Sequence, residues 1–176
     1  MDHPPFCRDR WQTGWVIVVV CPGQGSQTPG FLAPWLELDG VEERLAAYSE
    51  AAQVDLRTHG TESDADTIRD TRVAQPLIVA ASLVAGDALV AAAGRRADGI
   101  AGHSVGEIAA LVGSGPSDPE ITLWTNRDGS VVTDGATALD YLVDQVSSPV
   151  RWDLCMTSFA DAGVTGVIEL APAGAL

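Results

Sequence analysis

The sequence predicts an α/β fold, a mostly parallel sheet flanked by helices. Three observations predict it. Short apolar runs alternate with longer segments of helical period. The first run, "VIVVV" at 16–20, has no polar alternation, which marks a strand buried on both faces. The stretch at 73–94, "VAQPLIVAASLVAGDALVAAAG", carries no charge before Asp87, as a buried helix would.

The remaining elements follow in order. "PGQG" ends the first strand sharply. "FLAPWLELDGVEERLAAYSEAAQV" has helical period broken near Pro34 and Gly40, and "DLRTHGTESDADTIRDT" is polar loop with a short helix. In the apolar helix, Pro76 is expected in the first turn, where its missing N–H costs nothing. "RRADGIAGH" leads through a short apolar stretch to Ser104, and "SVGEIAALVGSG" reads as a helix starting at that serine. "GPSDP" at 115–119 is an abrupt break. "EITLWTN" reads as a strand and "RDGS" as a turn. "ATALDYLVDQV" and "SSPVRWDLCMTSFADAG" read as helices, the second ended by Gly163, and "VTGVIELAP" as a last strand.

Composition narrows the function. The 176 residues are 46% hydrophobic and 19% charged, a globular balance. The net charge is −14, with no basic excess to displace counterions, so nucleic acid is not an expected partner. "VIVVV" is too short to span a bilayer, and the first fourteen residues lack a secretory pattern, so no membrane partner and a cytoplasmic location are expected. Cys7, Cys21 and Cys155 lie far apart without metal-ligand spacing; free thiols are expected, with no metal and no cofactor.

One short motif carries chemistry. "GHSVG" at 102–106 places Ser104 between two glycines at a strand-to-helix junction, the pattern of a nucleophile elbow. The glycines leave room for a tight turn, and the N–H of Val105 can stabilise an oxyanion at the helix start. A serine nucleophile also needs a base. The three histidines are His3, His59 and His103, and none follows Ser104. His3 lies in the N-terminal tail and His59 in a polar loop, while His103 is adjacent to the serine on a segment whose neighbouring side chains point apart. A hydrolase triad in the order Ser, acid, His is not expected.

"VVVCPGQGSQTPGFL" (18–32), "RDTRVAQPLIVAASLV" (69–84) and "GIAGHSVGEIAALV" (99–112), in this order, resemble the malonyl-CoA:acyl-carrier-protein transacylases, their actinobacterial members most of all. "EITLWTNRDGSVVTD" and the stretch from "SSPVRW" onward are similar to later parts of the same enzymes. The resemblance implies an α/β-hydrolase-like acyltransferase core whose serine takes a malonyl group from coenzyme A and passes it to acyl carrier protein. It implies Ser104 as nucleophile, the N–H groups of Gln24 and Val105 as oxyanion hole, Gln75 in the active-site lining, and Gln145 as the residue that helps fix a catalytic histidine. On this reading 1–14 is a loose extension. Residues 15–176 form one acyltransferase-like domain, with the serine turn in its N-terminal half (15–114) and a C-terminal half at 120–176.

The chain departs from that family in one large respect. "IAALVGSG" runs straight into "PSDPEITLWTN", where the family carries a ferredoxin-like subdomain with a carboxylate-binding Arg and the catalytic His. "ELAPAGAL" also stops where the family continues. The expected outcome is impaired transfer, with self-association through the apolar surface left uncovered. A non-catalytic relic, or a module binding acyl carrier protein or coenzyme A, is the alternative. Arg72 and Arg151 are expected to be ordinary surface arginines; the pair Arg95–Arg96 is either a local basic patch for an acidic carrier or a solvated helix end.

Overall fold

The structure is a computed structural model that describes residues 14–176. The expected N-terminal extension lies outside the described residues, apart from its last position, and so do Cys7 and His3. Five strands form one sheet: β1 (Ile17–Cys21), β2 (Gly99–Gly102), β3 (Thr122–Trp124), β4 (Val131–Val132) and β5 (Gly166–Glu169). Their order is β4-β3-β2-β1-β5. β1 pairs in parallel with β2 and β5, β2 pairs in parallel with β3, and only β4 runs antiparallel to its neighbour.

β1 explains its own composition. Val19 and Cys21 pack on one face with Ile100, Leu123, Ala109 and Ala110. Val18 and Val20 pack on the other with Trp124, Cys155 and Phe159. A strand covered on both faces needs apolar side chains at every position.

Six α-helices lie among the described residues: α1 (Val41–Ala52), α2 (Leu56–Thr61), α3 (Thr71–Ala93), α4 (Gly106–Ser114), α5 (Gly135–Gln145) and α6 (Trp152–Asp161). α3 is the one described helix long and apolar enough to cross a bilayer. One side of it reaches the sheet core through Ala85, and another packs with Leu32, Leu45 and Leu56 from the segments before it. Two apolar neighbours account for its uncharged run.

Four details differ from the sequence expectation. α3 begins at Thr71, capped by Asp70 Oδ1 accepting from Arg72 N–H at 2.8 Å, so Pro76 lies inside the helix beyond its first turn. α4 begins at Gly106, because Ser104 is not helical. α6 begins at Trp152, and "SSPVR" forms turn and loop before it. His59 belongs to α2 and is half-buried, its Nδ1 2.9 Å from Ser63 Oγ. β4, an edge strand of two residues, had no pattern long enough to predict.

Candidate active site

β1 and β2 end together, Cys21 opposite Gly102, and both chains turn at that edge. The turns touch. His103 N–H donates to the Cys21 carbonyl at 2.9 Å, and a Cβ on Gly23 would stand 2.6 Å from His103 Nδ1 and 2.9 Å from its carbonyl oxygen. Glycine at 23 is therefore what allows the loop after β1 to lie against the loop after β2. That loop is tied down by Gln24 Nε2, which donates to the Arg69 carbonyl and Thr71 Oγ1, both at 3.2 Å, and by Gln27 Nε2 to the Ile68 carbonyl at 3.0 Å.

Ser104 occupies the turn between β2 and α4 with φ of 54°, left-handed backbone. For a residue bearing a Cβ that conformation costs about 1–2 kcal/mol, and it persists only where its surroundings hold it. Gly102 and Gly106 pack against the backbone of the turn and of β1, so the turn closes only with glycine at both.

The N–H groups at the turn are almost all used. His103 donates to Cys21, Ser104 to Asn126 Oδ1 at 2.9 Å, Gly106 to the His103 carbonyl at 3.0 Å, Glu107 to Ser104 at 3.0 Å and Ile108 to Val105 at 3.1 Å. Among the described residues, the N–H groups of Val105 and Gln24 have no partner. They belong to two loops in contact, one of them at the positive end of α4.

Among the described residues, no base accompanies the serine. Ser104 Oγ makes no hydrogen bond among the described residues. His103 packs edge-on to Trp152 at 5.7 Å, and burial pushes its pKa down, which keeps it neutral. His59 sits on α2, bonded to Ser63.

The two glutamines lie in different settings. Gln75 is exposed on α3, and its side chain makes no hydrogen bond among the described residues. Gln145 closes α5, its Nε2 donating to the carbonyls of Ser148 and Pro149 at 3.0 and 3.1 Å. Its Oε1 is buried without a partner. Gln145 lines a cavity of about 470 Å³ with Arg127, Tyr141 and Arg151. The Arg127 guanidinium lies 4.3 Å over the Tyr141 ring, and Arg151 pairs with Asp153 at 2.7 Å. Arg72 is exposed, while Arg95 pairs with Asp98 and Arg96 with Glu120.

Sequence reasoning missed two residues. Asn126 is fully buried directly beneath the serine turn. Glu107, on the first turn of α4, is buried too; its Oε1 accepts from Asn126 N–H at 2.7 Å, and its Oε2 has no partner. Desolvation raises its pKa, only partly offset by the Asn126 N–H and the Thr125 hydroxyl. A glutamate at a helix start ordinarily reads as solvent-facing, so nothing in the sequence marked its burial.

Residues 18–118 match the family model described as the acyl transferase domain. The chain is 52% identical over 82% of its length to the malonyl CoA-acyl carrier protein transacylase of Mycolicibacterium smegmatis, covering 90% of that protein. It is 30% identical over 92% of its length to the protein of the same name from Mycobacterium tuberculosis, covering 91% of it. The crystal structure of the M. tuberculosis enzyme superimposes with a TM-score of 0.85 at 30% identity, over 90% of each chain. The M. tuberculosis alignment runs over 275 positions, whereas 92% of 176 residues is about 162, so the relative carries more than a hundred residues with no counterpart here. The family-model match ends at 118, in the connection between α4 and β3 where the sequence placed the missing segment. With its sheet, its helices and these motifs in common with such enzymes, and one internal segment fewer, the chain belongs to the malonyl-CoA:acyl-carrier-protein transacylase family of acyl transferases.

Proposed function

We propose that Ser104 is the acyl-accepting nucleophile of this chain, in a transfer of malonyl from coenzyme A to acyl carrier protein that is impaired. The family acts on those two substrates, and the observation that carries the reading is the left-handed Ser104 beside the unused N–H groups of Gln24 and Val105. Ser104 Oγ would attack the thioester carbonyl. The two N–H groups would take the developing oxyanion, the carbon–sulfur bond would break, and the serine proton would pass through solvent to the departing thiolate. A second attack, by the carrier's thiol on the serine ester, would regenerate the free hydroxyl.

Impairment follows from the environment of Ser104 Oγ. Without a general base the rate falls by roughly 10²–10⁴-fold, while oxyanion stabilisation and binding leave residual catalysis. Gln75 and Gln145 are assigned to the substrate side, and the orphan Gln145 Oε1 fits a residue whose partner is missing. The carrier is expected to be held weakly, because this chain carries a net charge of −14 and acyl carrier proteins are acidic. A cytoplasmic location goes with that role. Among the described residues no histidine bonds to Ser104, which favours a second reading, a core that binds carrier or coenzyme without turnover.

Intact mass of the purified chain, before and after incubation with malonyl-CoA and beside Ser104→Ala, separates the two. A malonyl adduct on the parent alone is the expected result. No adduct on a chain shown to be folded would overturn the catalytic reading in favour of the binding one.

A further inference from the structure

Asn126 follows β3 and is wholly buried, and each of its four polar groups has a partner on a different segment or residue. Its main-chain N–H donates to Glu107 Oε1 at 2.7 Å, and its carbonyl accepts from Arg151 N–H at 2.8 Å. Its side chain reaches into the serine turn. Nδ2 donates to the Gly102 carbonyl at 2.6 Å, and Oδ1 accepts from Ser104 N–H at 2.9 Å. The two atoms it bridges stand on either side of His103, so one amide plane brackets the residue where β2 gives way to the left-handed serine.

This bracket has a chemical consequence. An L-residue leaves the left-handed region unless something over-determines it, and here the clamp on Ser104 N–H does so. The clamp also consumes the one N–H that would otherwise compete with that of Val105 for an acceptor beside the serine. Of the N–H groups on His103, Ser104, Val105, Gly106 and Glu107, only that of Val105 is left facing no protein acceptor among the described residues.

We propose that Asn126 is a positioning residue for acyl transfer: through its side-chain bonds to Gly102 and Ser104 it holds the Ser104 backbone and so fixes Ser104 Oγ and Val105 N–H relative to one another. This rests on the reading of Ser104 as nucleophile, and the two are tested separately.

The first readout is hydrogen exchange of the Ser104 amide. In Asn126→Ala that amide should lose its protection while Val19 in β1 keeps its own. The second is the rate of Ser104 acylation by p-nitrophenyl acetate and by malonyl-CoA, followed by intact mass. A misplaced nucleophile costs about ten- to a hundredfold in that rate. Asn126→Asp supplies a third. Protonated, its carboxyl can accept from Ser104 N–H and donate to the Gly102 carbonyl; ionised, it cannot donate. Its acylation rate, taken as a ratio to the parent with the same Glu107, Cys155 and His103 around the turn, should rise as pH falls. Unchanged Ser104 protection in a folded Asn126→Ala, or acylation at the parent rate, overturns the proposal. If Asn126→Ala does not fold, a flat ratio for Asn126→Asp overturns it. A parent that never acylates defeats the nucleophile reading instead, and amide exchange still decides whether Asn126 holds the turn.

Discussion

A Cβ built on Gly102 would stand 2.0 Å from the carbonyl carbon of Gly106, well inside any contact that two carbons tolerate. A Cβ on Gly106 would in turn stand 2.2 Å from the Cys21 carbonyl oxygen. Both clashes are with backbone, which cannot rotate away. Gly102→Ala and Gly106→Ala should each destabilise the chain by about 3 kcal/mol or more, at the upper end for overpacking. Urea unfolding checks this, with a lowered midpoint expected for both.

Ser104 itself should show the opposite sign. Its φ of 54° suits glycine. Ser104→Gly should raise the urea midpoint or leave it unchanged, a gain of at most about 1 kcal/mol once the looser unfolded chain is counted, while abolishing any adduct. A clearly lowered midpoint would mean that the hydroxyl stabilises the fold.

Glu107 predicts a pH dependence. Burial lifts its folded pKa above the ordinary 4.5. As pH rises past 4.5 the unfolded chain ionises first, so the folded state loses stability until Glu107 itself ionises at its raised pKa, and the loss then levels off. Glu107→Gln, which keeps an oxygen for Asn126 N–H, should flatten that part of the curve. Chemical denaturation of parent and variant between pH 4.5 and 8 tests it; parallel curves would refute it.

Two thiols should be inert. Burial pushes Cys21 up to about 12, and burial, with the Glu107 charge second, pushes Cys155 up to about 12. Neither should react with iodoacetamide at pH 8 until the chain unfolds, because the thiolate is the reactive form. Peptide mapping distinguishes them from Cys7, and fast native labelling of either would show that the core opens.

The outer surface of α4 and α5 should favour self-association. Ile108 and Val112 on α4, and Leu139 and Val143 on the adjoining α5, are exposed one turn apart on each helix. Such patches promote contact between copies, here against net repulsion. Sedimentation equilibrium should show more dimer at high salt, where repulsion is screened, and less in Val112→Glu. A monomer at all salt concentrations would exclude it.

The sequence disclosed what depends on local pattern. "VIVVV" gave β1 because a strand buried on both faces cannot alternate, and "GHSVG" located the serine turn because only glycine fits beside it. What it hid depends on partners remote in sequence. Asn126 meets Ser104 across 22 residues, and nothing in "WTN" separates a buried clamp from a loop asparagine. Glu107 is buried against the segment that follows β3, where Asn126 N–H meets it, and α6 starts where Asn126 accepts from Arg151 N–H. Pro76 was misplaced by one turn because Asp70, which caps α3, lies in a polar stretch that resembles loop.

The pairing of β1 with β5 bears on how the chain is made. Val16 N–H donates to Thr165 Oγ1 at 2.8 Å, across 149 residues of sequence. β2 can join one side of β1 early in synthesis, but the other side stays open until β5 leaves the ribosome. Throughout that interval a flat apolar strand has a free row of N–H and carbonyl groups, the template on which nascent chains pair with each other. Slower translation of the last third of the chain would lengthen the exposure, and a chaperone able to cover a β-edge would be needed most during that interval.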